Sequence, residues 1–170
     1  MRFLILAVLA MLTLAGCNPT FNWRDVRPDN TRLSLLMPCK PDKAQKTVPL
    51  GGQPTELMLL SCDAGGVTFA LALADVGDAS KTATILGQWQ IATLANMKAM
   101  PATQGAVIKL PGLPSGGVIV KATGKRANGE AVTSQAAYFA QGSQVFQAVI
   151  YASNISADVA DTFFSGLKFE

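Results

Sequence analysis

Serine, cysteine, carboxylate and lysine side chains are all present in this 170-residue chain, but histidine is absent. That single absence removes Ser-His-Asp and Cys-His nucleophilic catalysis, and every His-ligated zinc site with them. General acid–base work needs two carboxylates held near each other. The 11 acidic residues are scattered and fall mostly in turns or near the N-terminus. Asp158 and Asp161 stand three apart, at the start of an expected helix, where acids favour the helix dipole. Ser165-Gly166-Leu167-Lys168 has the Ser-x-x-Lys spacing of a serine nucleophile with a lysine base, but it closes a helix and has no Lys-Thr-Gly partner. Gly112 to Gly117 is glycine-rich, yet it leads into a strand, whereas a phosphate loop opens a helix. The expectation is a chain with no catalytic residue, no metal and no cofactor. The 14 Lys and Arg against 11 acids leave a formal charge of +3, one unit of it from Arg2. So small a balance argues against nucleic acid as a partner. Lys125 and Arg126 form the one basic doublet and, with Lys121, could meet an anionic partner. The competing reading is a solvated loop that protects a sheet edge.

The N-terminus carries an address. Met1-Arg2 precedes an apolar run from Phe3 to Leu14, and Leu14-Ala15-Gly16-Cys17 follows. A positive end, a short apolar core and small residues at a cut site are the parts of a secretory signal. The run is too short to span about 30 Å of hydrocarbon. The tetrad resembles the lipobox of bacterial lipoproteins, in which the cysteine becomes the mature N-terminus and is acylated, typically with palmitate. That resemblance implies a signal peptide at 1–16 and lipidation at Cys17. With Asn18 following, it implies an anchor in the outer membrane on its periplasmic face. Cys17→Ser should abolish labelled palmitate incorporation; incorporation that survives the substitution would exclude the anchor.

Setting Cys17 aside leaves Cys39 and Cys62. Export places them in a compartment that permits disulfides, and an even remainder favours a bridge. Each lies at the end of an expected strand, so strand neighbours could bring them together. A reactive thiol or a metal pair is the alternative, but no Cys-x-x-Cys is present.

A tether and a single domain must position these residues. Residues 17–30 read as a polar tether with two prolines and no helical period. In it, Trp23 and Arg24, with Phe21 and Arg27, could rest at a membrane interface or on a partner; alternatively Trp23 plugs into the domain. Residues 31–170 read as one domain. Strands are expected at 32–37, 46–50, 56–62 and 67–76, the last two forming a hairpin through Asp63-Ala64-Gly65-Gly66. On the return strand Val67, Phe69, Leu71 and Leu73 share one face, and Ala70, Ala72 and Ala74 share the other. Neither face is charged before Asp75, so both should be covered, the alanine face by a close-packed helix. That helix is expected over 82–100, with Ile85, Leu86, Trp89, Thr93, Met97 and Met100 as its core stripe and Pro101 as its stop. A loop over 102–117, with a short strand at 106–110, leads to a three-strand meander at 118–124, 130–140 and 144–151. Its first turn contains Asn128-Gly129, both of which tolerate positive φ. Ser156 caps a closing helix to Leu167.

The order of parts, with Met37-Pro38-Cys39-Lys40-Pro41 near the start and Phe163-Phe164-Ser165-Gly166-Leu167-Lys168-Phe169 at the end, resembles PsbP-like domains. The resemblance implies an α+β fold: a central antiparallel sheet with helices packed on both faces, an α/β/α sandwich. It implies an accessory or binding role and carries no catalytic residues over. Cys39 departs from the simpler form of the opening motif, consistent with a bridge to Cys62. The expected function is therefore a lipid-anchored periplasmic accessory that binds an envelope protein. The alternative is a carrier of a small apolar or amphipathic ligand, and a hydrolase comes last. The small alanine face argues for tight packing under the helix. A pocket of at least ~300 Å³ lined by Trp89 would put the carrier first.

Overall fold

A computed structural model of the chain describes residues 19–101, 106–107, 113 and 117–170. Strands β1 (Arg24–Val26), β2 (Leu33–Met37), β3 (Asp42–Leu50), β4 (Gln53–Ala64) and β5 (Val67–Asp75) come first. A single 3-10 turn, Ala79–Lys81, then leads into helix α1 (Thr82–Asn96). Two-residue strands β6 (Met100–Pro101) and β7 (Ala106–Val107) precede the meander of β8 (Val118–Lys125), β9 (Ala131–Gln141) and β10 (Gln144–Ala152). Helix α2 (Ala157–Ser165) and strand β11 (Lys168–Phe169) close the chain.

Six long strands make one antiparallel sheet in the order β3-β4-β5-β10-β9-β8, extended along β8 by β6 and β7. A second sheet of three strands, β1-β2-β11, is built entirely from the two ends of the described chain. The fold is α+β, but it is not the α/β/α sandwich expected. The alanine face of the large sheet is covered by α1. The other face is covered by the small sheet and by α2, nine residues long. The sequence pattern required a cover on this face without saying what kind. Leu33, Leu35 and Met37 on alternate positions of β2 supply much of it.

Side-chain size decides how near each cover sits. On the second face Phe69, Phe139, Phe146 and Phe163 are fully buried, with Leu60, Leu71 and Ile150 around them. Under α1 the sheet offers Ala72, Ala74, Val145, Val149 and Ala136. These small side chains let the helix approach, as ridge-and-groove packing demands. Helix α1 ends at Asn96, four residues short of its expected end at Met100, because Lys98 turns left-handed (φ 49°). The released Met97 carbonyl then accepts the Lys125 N–H at 2.7 Å. Gly124 must stay bare there, since a β-carbon would strike that same carbonyl oxygen. Met100, expected on the stripe, instead belongs to β6.

Of the two readings given for Trp23, the structure shows the one in which it plugs into the domain: with Phe21 it packs on the core, their rings 5.7 and 6.2 Å from Phe69, both edge-on. Arg24 follows as the first residue of β1, paired opposite Met37. In the β8–β9 turn only Gly129 takes a positive φ (88°), not Asn128. The Gly129 N–H reaches the Arg126 carbonyl at 2.9 Å, so the loop is a tight turn closed by one left-handed residue.

Cys39 and Cys62 form a disulfide, with their Cα atoms 6.1 Å apart. The bond ties the exit of β2 to β4, and so pins the small sheet to the large one.

Candidate functional site

A cleft lies between α1 and the tip of the β3–β4 hairpin. Strands β3 and β4 pair in register from Asp42↔Ser61 to Leu50↔Gln53. Their turn is Gly51-Gly52, both left-handed (φ 62° and 81°). At Gly51 a β-carbon would come within 2.8 Å of Ile85. Glycine is therefore needed twice over, for its φ and for its missing side chain. The result is a hairpin tip that touches the first turns of α1 and closes one end of the cleft.

The floor is apolar: Val48, Leu50 and Leu57 from the hairpin, Trp89 and Ala92 from the helix. Gln88, Thr93 and Asn96 stand on the helix side. The cleft is open to solvent, and its volume is about 430 Å³, within the range of small-molecule sites. No charged residue lines it. Helix α1 itself carries no charged residue from Thr82 to Asn96.

Trp89 is held from beneath by a polar triad. The Gln147 carboxamide, buried in β10, donates to the Tyr138 hydroxyl at 2.8 Å and to Thr93 Oγ1 at 3.0 Å. Thr93 Oγ1 in turn donates to the Trp89 carbonyl at 2.9 Å. The Trp89 ring meets Tyr138 edge-on, with centroids 6.4 Å apart. A buried carboxamide with both donor hydrogens used is a specifying feature, because leaving either unpaired costs about 1–3 kcal/mol. Burial pushes the Tyr138 phenol above its usual range, and hydrogen bonding with Thr93 and Gln147 pulls it partly back. Tyr151, on the same sheet face, is pushed up to about 12 by burial and by the neighbouring Tyr138 charge.

The chain has two tyrosines, so their ionisation can be followed without labels. An unfolded tyrosine ionises near pH ~10. The native state therefore holds protons that the unfolded state has lost once the pH passes that value. The tyrosines' contribution to stability should be level below about pH 10 and fall as the pH rises toward 12. Ultraviolet absorbance should show phenolate appearing only with unfolding, and Tyr151→Phe should flatten the alkaline decline in stability.

No family model matches the chain, and no curated protein matches it. A crystal structure from Bacteroides thetaiotaomicron VPI-5482 aligns with a TM-score of 0.47 and 14% identity, over 81% of this chain and 45% of that one. The chain thus spans less than half the length of that protein.

The residues singled out from sequence do not gather at the cleft. Trp23 is half-buried on Phe69. Lys125 and Arg126 are exposed at the β8 end of the sheet, three strand spacings or about 14 Å from β5. Cys17 lies outside the described residues, as does most of the Gly112–Gly117 loop. Lys121, Asp161 and Ser165 do share a second cleft of about 250 Å³, with Gln135 and an apolar floor of Ile119, Ala160 and Phe164. All three are exposed, and no hydrogen bond or ion pair joins them. Among the described residues no cluster of three metal-binding side chains occurs, and no helix is long and apolar enough to cross a membrane. Sequence reasoning found Trp89 and Thr93 as stripe positions. It missed Gln147, which reads as an ordinary polar strand residue, and the role of Gly51, which depends on a contact with Ile85 in another element.

Proposed function

We propose that this protein is an envelope binding protein that takes up a small apolar or amphipathic molecule in the cleft between α1 and the β3–β4 hairpin. The observation that carries this reading is the cleft itself: about 430 Å³, floored by Trp89 and uncharged throughout its lining. It exceeds the volume set above for ranking a carrier ahead of a protein-binding accessory. The Gln147–Thr93–Tyr138 triad supports it further, since a site needs its aromatic floor held by a second layer. Placement at the periplasmic face of the outer membrane through a lipid on Cys17 belongs to the same reading and rests on Leu14-Ala15-Gly16-Cys17. The order of hairpin, helix, meander and helix fits a distant PsbP-like relation, from which the strand-covered second face departs.

Filling the cleft tests the reading. The uncharged fluorophore N-phenyl-1-naphthylamine should brighten on binding the protein. Ala92→Trp, an exposed helix position that lines the cleft, should weaken that uptake at least about tenfold, a loss of ~1.4 kcal/mol. The thermal unfolding midpoint should hardly move. Equal uptake by both proteins would remove the cleft from consideration.

One observation favours a protein partner as the second reading. The outer side of α1 is uncharged, and its Ile91 is 68% exposed. Photo-crosslinking from Ile91 and from the Lys125–Asn128 loop separates the two readings. Capture of one defined envelope protein from both sites would favour the accessory role.

A further inference from the structure

Helix α1 presents Gln88, Ala92 and Asn96 along one ridge of the cleft, each four residues from the next. Residues at this spacing lie one above another on a helix face. The ridge therefore has a carboxamide at each end and a notch, Ala92, between them. Eight residues of helix set the two carboxamides about 12 Å apart along the axis. Beneath the notch lie Trp89, Leu50 and Leu57. The third polar side chain, Thr93, is already engaged, accepting from Gln147 and donating to the Trp89 carbonyl. Gln88 and Asn96 make no such internal bonds among the described residues, and both are exposed. A carboxamide offers a donor and an acceptor together, so each end can meet a hydroxyl, a carbonyl or an amide. Neither end offers a charge, so an ionised end group would find no counter-charge there, and an ionised group drawn into the apolar middle would lose hydration.

Resting on the binding reading above, we infer that the cleft selects an uncharged, two-ended ligand: an apolar middle seated on Trp89 in the Ala92 notch, with a neutral hydrogen-bonding group at each end, about 12 Å apart. The chemical class is a neutral bifunctional amphipath. A fatty acid or other ionic lipid is not of that class.

The test is displacement of N-phenyl-1-naphthylamine from the full mature chain by α,ω-alkanediols of graded length, by 1-alkanols of the same lengths, and by the corresponding carboxylates. Diols should compete best, with an optimum length matching the carboxamide spacing. Each lost end group should cost about two- to tenfold in affinity, and carboxylates should bind at least about tenfold more weakly than alkanols. Gln88→Leu and Asn96→Leu, both at exposed positions, should each erase the advantage of diol over alkanol. Carboxylates competing as well as diols, or diols no better than alkanols, would overturn the inference and leave the binding reading standing. No fluorophore uptake at all would overturn both.

Discussion

Phe69→Ala should lower the unfolding free energy by about 3–5 kcal/mol, the range for deleting a buried phenylalanine ring. The residue is fully buried, the third in β5. Its ring lies 5.7 Å from Trp23 and 5.4 Å from Phe163, centroid to centroid. One side chain thus joins the large sheet, the N-terminal segment and α2. The cavity left behind cannot close easily, because its walls belong to three elements fixed by their own hydrogen bonds. The effect should sit at the upper end of the range for that reason. Urea unfolding would register it as a lower midpoint with an unchanged slope. A loss of under about 1.5 kcal/mol would mean that the small sheet and α2 can follow the missing ring inward, and that the described packing is softer than its geometry indicates. Phe69→Leu should recover most of the difference.

The second large effect concerns the bridge. Cys39 and Cys62 are separated by 23 positions, and the chain-entropy account of a loop this long gives about 3 kcal/mol of stabilisation. Replacing both with alanine, or reducing the native protein, should lower stability by that amount. Cys62 stands directly opposite Phe69 across β4 and β5. The two perturbations share surroundings, so their combination should depart from additivity by about 0.5 kcal/mol or more. Denaturation curves of the two single variants and the combined one would measure that coupling. A reduced protein as stable as the oxidised one would show that the small sheet holds without the bridge.

Much of this architecture was readable from residue pattern. The alternation of Val67, Phe69, Leu71 and Leu73 with Ala70, Ala72 and Ala74 separates the two faces of β5, and the structure puts a close helix on the alanine side. Ser156 accepts from the Val159 N–H, as its position before an apolar stripe implies. The small sheet was not readable in the same way. Its outer strands are three and two residues long, too short to show any period. Strand β2 pairs with these ends of the chain and not with the neighbouring hairpin, a choice that side-chain pattern does not encode. The cleft was half-readable. Trp89 and Thr93 follow the helical stripe, while the lining from Val48 to Gly52 comes from a hairpin whose tip leans on Ile85 only in the folded chain. Helix α1 also misled at its end: Pro101 was a plausible stop, but the Met97 carbonyl is taken earlier by Lys125, from a strand some 28 positions along.

Strands β1 and β11 both run antiparallel to β2, so they run parallel to each other on its two sides. The chain enters through the first and leaves through the second. Tension applied between the two ends would draw these strands in opposite directions along β2. Both ladders would then be strained lengthwise and together, not peeled one bond at a time. Beyond them, the Cys39–Cys62 bridge passes the remaining load from the exit of β2 straight into β4, sparing the intervening β3. A molecule held at one end and tugged at the other would thus yield first in its smallest sheet, while the six long strands and the cleft on α1 kept their shape.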